Sequence, residues 1–222
     1  MYWLINRLNH ACAVDQLRGL ARLLVPALVL LLSACTPPAR DVRGLFAIDS
    51  LLQAQASYLA AANATVNKQI TLGSKQEEVD LKPSDSTAWF KELEAFSVMN
   101  AINKPINRDR YTVDELPDPQ SNLRMRSFKG TSDDLPVSYV RVYYHGVPQR
   151  VRKIESLYTE VNGLYKTSRS LSLEFDYING TPVMTSYSIV GGQKMFLDDS
   201  VQYDIKGRVK IGKMITNGKA GN

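Results

Sequence analysis

Two thiols, two imidazoles and a few acidic doublets are the side chains of this sequence whose types could do covalent or metal chemistry. The thiols are Cys12 and Cys35; the imidazoles are His10 and His145; the doublets include Glu77-Glu78, Asp133-Asp134 and Asp198-Asp199. Spacing removes most of the chemistry. Neighbouring residues on a strand point to opposite faces, so a doublet is not a carboxylate dyad. The D-x-D-x-D-G spacing of a calcium loop is missing. Gly191-Gly192-Gln193-Lys194 lacks the G-x-x-x-x-G-K-[ST] spacing of a phosphate loop, and neither a G-x-S-x-G elbow nor H-E-x-x-H occurs. His145 follows Tyr143-Tyr144 and precedes Gly146, which is the setting of a turn residue. As a general base it would need a nucleophile that no motif supplies. The expectation is no catalytic residue, no cofactor and no metal.

Cys35 is different, because its neighbourhood is specific. It closes the apolar run Leu23–Cys35 at Leu32-Ser33-Ala34-Cys35. A run of this length is too short to span a ~30 Å hydrocarbon core as a helix, but it suits the apolar region of an export signal. Small residues at Ser33 and Ala34 let a peptidase close on extended backbone, and the thiol can accept a thioether-linked diglyceride. The pattern resembles a bacterial lipoprotein signal with its lipobox, and Cys35 would then be the acylated first residue of the mature chain. Each buried methylene adds roughly 0.8 kcal/mol, so two or three acyl chains hold permanently. The charged stretch before the run is long for a leader, and initiation near Val14, Leu17 or Leu20 would leave an ordinary one. Thr36-Pro37-Pro38-Ala39-Arg40 is a short extended tether reaching on the order of 20 Å. Nothing acidic follows Cys35 until Asp41, which favours a periplasm-facing anchor.

Composition narrows the rest. With Cys12 lost in the leader and Cys35 acylated, no thiol remains for a disulfide, a zinc cage or a nucleophile. His145 is then the one imidazole left. Loss of Arg7, Arg18, Arg22 and Asp15 lowers the formal charge of +5, and a mildly basic chain does not call for nucleic acid. The remaining length is enough for one domain burying about 70% of its unfolded surface.

The apolar periods set out the elements. Leu45, Ile48, Leu52, Leu59, Ala62 and Val66 predict an amphipathic helix over Leu45–Ile70, with Gln53, Gln55 and Asn63 off its apolar face. Lys75–Lys82 reads as a loop or an edge strand. Ser84–Ser86 offers caps for a second helix that buries Trp89, Leu93, Phe96 and Met99, faces Ala88, Glu92 and Glu94 to solvent, and ends near Asn103 because of Pro105. Asn107–Ser121 reads as a crossing loop. From Leu123 the period changes to two, with turn signals at His145-Gly146, Asn162-Gly163, Asn179-Gly180, Gly191-Gly192 and Lys206-Gly207. The alternation is clearest over Tyr165–Tyr177. Arg150, Arg152, Lys153, Lys206, Arg208 and Lys210 read as a solvated sheet face. The expected fold is α+β, two N-terminal helices packed on a curved antiparallel meander of about six or seven strands. The expected organisation is a signal peptide over 1–34, an anchor and tether over 35–43, one domain over 44–212, and a flexible tail over 213–222.

Trp89-Phe90-Lys91-Glu92-Leu93-Glu94-Ala95-Phe96 and Ile102-Asn103-Lys104-Pro105 carry a family resemblance, with Leu157-Tyr158, Arg169-Ser170-Leu171 and Tyr187-Ser188-Ile189 through Met195. The chain resembles a group of uncharacterised Bacteroidota lipoproteins that pair a W-x-x-E-L-x-x-F helix with an I-N-K-P end. It departs at Ala101, where those proteins suggest an acidic residue. The resemblance implies an envelope location, most simply the outer membrane facing the periplasm, and no activity. It also makes Asp49-Ser50-Leu51, Asp85-Ser86-Thr87 and Asp199-Ser200-Val201 look like O-glycan acceptors. The functional expectation is a non-enzymatic envelope lipoprotein, held to the membrane through Cys35, that binds an envelope ligand or protein partner. The alternatives are an apolar-ligand carrier with an interior cavity, or a hydrolase using His145.

Overall fold

A left-handed residue at Asn63 ends the first helix earlier than its apolar period suggests. In the computed structural model, which describes residues 45–195 and 200–212, α1 covers Ile48–Ala61 and strand β1 begins at Thr65. Asn63 takes φ +48°, and Ala62 and Ala64 donate their N–H groups back to Tyr58 and Leu59 (2.9 and 3.0 Å). That left-handed residue is a helix C-terminus in the usual form. The expected helix over Leu45–Ile70 is therefore a helix followed by a strand. Val66 continued the helical spacing by coincidence and is buried from β1 instead.

The remaining elements follow in order: β2 (Lys75–Leu81), α2 (Ser86–Leu93), two 3₁₀ helices (Glu94–Asn103 and Pro105–Arg110), β3 (Tyr111–Pro117), β4 (Arg124–Gly130), β5 (Val137–Tyr144), β6 (Val151–Val161), β7 (Tyr165–Ile178), β8 (Thr181–Met195) and β9 (Val201–Lys210). The Asp85 carboxylate caps α2 by accepting from Ala88 N–H at 2.8 Å. Lys104, ahead of Pro105, is extended (φ −62°, ψ 136°) and separates the two 3₁₀ helices. Trp89, Leu93, Phe96 and Met99 are all buried, as their spacing predicts.

All nine strands form one antiparallel sheet in the order β2-β1-β9-β8-β7-β6-β5-β4-β3. The α+β class and the antiparallel sheet agree with expectation; the strand count and the place of the helices do not. The β1–β2 hairpin lies between the two helices in sequence and joins the sheet beside β9. The segment read as a crossing loop contains β3, an edge strand. Its exposed residues, with Pro117 at the end, lack the alternation that marks a half-buried strand.

Two expected turns are strand interiors. Gly191-Gly192 pairs with Arg169 and Ser168 on one side and with Tyr203 and Gln202 on the other. Lys206-Gly207 pairs with Ser188 and Tyr187, and with Gln69 and Lys68. A Cβ on Gly207 would lie 2.1 Å from the Tyr187 ring, so this glycine makes room for an aromatic side chain rather than for a turn. Asn179-Gly180 is a two-residue turn with both φ values positive (+50° and +81°).

The helices cover one face of the sheet. That face presents Val140, Val142, Ile154, Leu171, Leu173 and Ile189 to Leu52, Leu59, Trp89, Leu93 and Phe96, and these form one apolar core. Gln55, expected on the wet side of α1, is buried among them. β8 bulges at Thr185, between the pairs Glu174–Ser186 and Phe175–Met184. Gln55 Nε2 donates to Pro182 O (2.9 Å), and its Oε1 accepts from Met184 N–H (2.8 Å). One amide side chain thus satisfies two backbone groups beside the bulge. Among the described residues no helix is long and apolar enough to cross a membrane.

Candidate functional site

The β6–β7 hairpin brings together the most organised group of polar side chains outside the core. Its loop is closed by Asn162: N–H donates to Tyr165 O (3.0 Å), and Oδ1 accepts from Leu164 N–H and Tyr165 N–H (2.8 and 2.9 Å). The hairpin then sets Glu160 opposite Thr167 and Tyr158 opposite Arg169. These residues share the face that carries Ser156 and Leu171, toward the end of the sheet where buried positions give way to half-buried and exposed ones.

Glu160 is the centre of the group. Tyr158 Oη donates to Oε2 (2.8 Å) and Tyr165 Oη donates to Oε1 (2.7 Å). Hydrogen bonds from Tyr165, then Tyr158, with the charge of Arg169 behind them, hold the Glu160 carboxyl below the usual range. The two phenols move the other way. Burial, then the bond to Glu160, raises Tyr158; the bond to Glu160, then burial, raises Tyr165. The Arg169 guanidinium carbon lies over the Tyr158 ring, 4.7 Å from its centroid. Beside this group Leu164 of the loop is 71% exposed, and Met195 and Val201 are exposed on the same face, whereas Val161, next to Glu160 along the strand, belongs to the opposite face. An open cleft of about 370 Å³ runs between the Asn162–Lys166 hairpin and Lys194-Met195.

A second polar group pins α2 to the sheet. Lys68 of β1 pairs with Glu92 of α2 at 2.7 Å, and the Tyr187 hydroxyl donates to the same Glu92 oxygen. Burial, then Glu92, pushes the Tyr187 phenol up. Its ring meets Phe96 edge to face, with centroids 5.7 Å apart. The Glu92 side chain is only 13% exposed, so its expected place on the solvent side of the helix is corrected. The absence of a side chain at Gly207 gives the Tyr187 ring room across β9, from where its hydroxyl reaches Glu92.

The sequence-predicted candidates lie elsewhere. Cys35, Asp198-Asp199 and the tail over 213–222 fall outside the described residues. His145 is an exposed residue of the β5–β6 turn, where its backbone exchanges bonds with Arg150 and Val147. Glu78 accepts from Asn67 on the neighbouring strand at 2.7 Å, and Asp134 pairs with Arg110 in a loop. Arg152 pairs with Asp176 (2.8 Å), Lys153 with Glu155 (2.6 Å) and Lys206 with Asp204 (2.8 Å). Asp85 is a helix cap, which accounts for its place beside Ser86.

Reading the sequence alone misses Tyr158, Glu160, Tyr165 and Arg169 as a group. The expected Asn162-Gly163 turn would set Tyr158 against Thr167; the observed hairpin turns one residue later, at Gly163-Leu164, and that register sets Tyr158 against Arg169. No family model, curated protein or solved structure matches this chain.

Proposed function

We propose that this chain is a lipid-anchored protein of the bacterial cell envelope, acylated at Cys35 and facing the periplasm from the outer membrane. Its folded part is a non-enzymatic module that holds a protein partner. The observation that carries the binding half is the Tyr158–Glu160–Tyr165–Arg169 group set beside exposed Leu164 and Met195. Tyr, Arg and Met are enriched at protein interfaces, and stiff aromatic side chains lose little entropy when they dock. A carrier of apolar ligands would need interior space for its cargo. The helix–sheet interior is occupied by Trp89, Phe96, Leu93, Met99, Ile154 and Leu171, which supports a surface partner over a carrier. The anchoring half rests on Leu32-Ser33-Ala34-Cys35.

The test is photo-crosslinking of the full chain in its own envelope, with a photoreactive residue replacing Leu164. The expected result is one discrete protein adduct, together with release of the protein from membranes by Cys35→Ser. Adducts only to lipid, or none from either Leu164 or Met195, would overturn the partner reading. Membrane retention of Cys35→Ser would overturn the anchor.

A further inference from the structure

Two like charges stand face to face where β7 leaves the hairpin. Lys166 of β7 pairs directly with Lys194 of β8 in the antiparallel register. Both are exposed, and strand alternation puts them opposite to buried Leu171 and Ile189, on the face that the helices leave open. Like charges directly opposite each other on a sheet are destabilising. Other cations of that face are matched: Lys153 pairs with Glu155 (2.6 Å) and Lys206 with Asp204 (2.8 Å). Among the described residues neither Lys166 nor Lys194 has an acidic partner. Glu160 belongs to the other face, and both its oxygens are held by Tyr158 and Tyr165.

The two lysines also stand where two shallow clefts meet. The cleft of about 370 Å³ at the hairpin tip and a second of about 480 Å³ on the open face share them in their linings. The first is edged by Leu164 and Met195. The second runs down β7 and β8 past Ser168 to Ser170, Val190 and Leu157. Val161, 66% exposed, pairs with Lys166 on the same face.

We propose that the docked partner presents a protein segment with acidic side chains among apolar ones, its carboxylates placed over Lys166 and Lys194. The inference rests on the partner-binding reading above. Charge complementarity selects the acids: carboxylates above the pair would turn a standing repulsion into attraction. Exposed Val161, Leu164 and Met195 on either side select the apolar neighbours. A bilayer surface is flat and would meet the hairpin tip alone. The second cleft leads away from the tip along the face, where serine hydroxyls can pair with the backbone of a peptide.

The test uses the full chain in its own envelope, with a photoreactive residue replacing Leu164, and reads the yield and the sequence of the protein adduct. Replacing Lys166 and Lys194 together by Glu is expected to lower the yield about tenfold or more, and Lys166→Gln alone several-fold. Arg208→Glu with Lys210→Glu, the same change of charge at the far end of the open face, is expected to leave the yield unchanged. The crosslinked peptide is expected to contain Asp or Glu. In urea unfolding of the full chain, Lys166→Gln and Lys194→Gln are each expected to raise the midpoint, and the double replacement to add nothing further, because either one removes the repulsion. A merely structural role would not join higher stability to loss of the adduct. A yield unchanged by the double Glu replacement, an equal loss in the Arg208 and Lys210 variant, a crosslinked peptide without acidic residues, or midpoints that fall would each overturn the proposal. An adduct that persists through the double Glu replacement leaves the partner reading standing, whereas absence of any protein adduct in the parent overturns both.

Discussion

Glu160 accepts two phenol hydroxyls, which ties its ionisation to the folded state. Its folded pKa lies below the unfolded value, so its contribution is present above the ordinary carboxylate range and is lost as pH falls through the lowered value. Glu160→Gln is expected to flatten the acid limb: the fall in urea midpoint between neutral and acid pH should shrink relative to the parent. Parallel pH curves would refute this role. The tyrosines act with the opposite sign. Burial pushes Tyr111 up to about 12, and burial with Glu155 pushes Tyr143 up to about 12. Unfolded phenols ionise near 10, so stability is fully present below about pH 10 and is lost as pH rises through about 12. Ultraviolet titration should show phenols that resist ionisation until the fold opens, and urea should remove that resistance. At Tyr187 the hydroxyl meets a largely buried carboxylate, and hydrogen bonds to charged groups are worth about 1.5–3 kcal/mol. Tyr187→Phe is expected to destabilise by that order in denaturant unfolding, while keeping the ring against Phe96.

At the level of elements, each helix is fixed by one polar device as well as by its apolar face. Gln55 ties α1 to the bulged part of β8 through two hydrogen bonds. Gln55→Ala would leave a buried N–H and C=O without partners, and chemical denaturation should report a loss of about 1–3 kcal/mol. A loss within experimental error would mean that the bulge re-pairs without α1. The Asp85 cap is exposed and replaceable, and Asp85→Ala is expected to lower the unfolding midpoint less than Gln55→Ala does, by the same measurement. Gly207 has the opposite character, since its replacement would drive a side chain into the Tyr187 ring under α2. Element boundaries were legible where local chemistry dominates. Pro105 interrupts the helical path, Asn179-Gly180 makes a tight turn, and the alternation over Tyr165–Tyr177 makes a strand. They were misread at Val66, where a strand residue fell on the helical spacing, and at Gly191 and Gly207, where glycine serves a neighbouring strand.

At the scale of the molecule, the sheet's edge strands among the described residues are β2 and β3, and both are acidic: Glu77, Glu78 and Asp80 on one, Asp114 and Glu115 on the other. Edge-to-edge pairing of two copies would set like charges against each other, a common guard against sheet growth. Replacing Glu77 and Glu78 with Val is expected to give concentration-dependent association by analytical ultracentrifugation, whereas a parent sedimenting as the same oligomer would remove the argument. The pairing of β1 with β9 joins residues far apart in sequence, so the sheet becomes complete only when the first strand meets the last. Such contacts carry a large closure cost and slow folding relative to local hairpins.

The sequence by itself determined what depends on neighbours along the chain: the apolar run ending at Cys35, the α+β class, the Trp89–Met99 core face and the two-residue turn at Asn179-Gly180. Tertiary structure alone decided what depends on partners across strands. It put β1 and β2 into the sheet, turned Glu92 inward to Lys68 and Tyr187, gave Gln55 to the backbone of β8, and set Lys166 opposite Lys194. The physical reason is one of range. Periodicity, caps and turns are set by φ, ψ and near neighbours, which a reader can follow along the chain. Side-chain partners on a sheet are set by register and strand order, and a single long-range pairing such as β1 with β9 fixes them together.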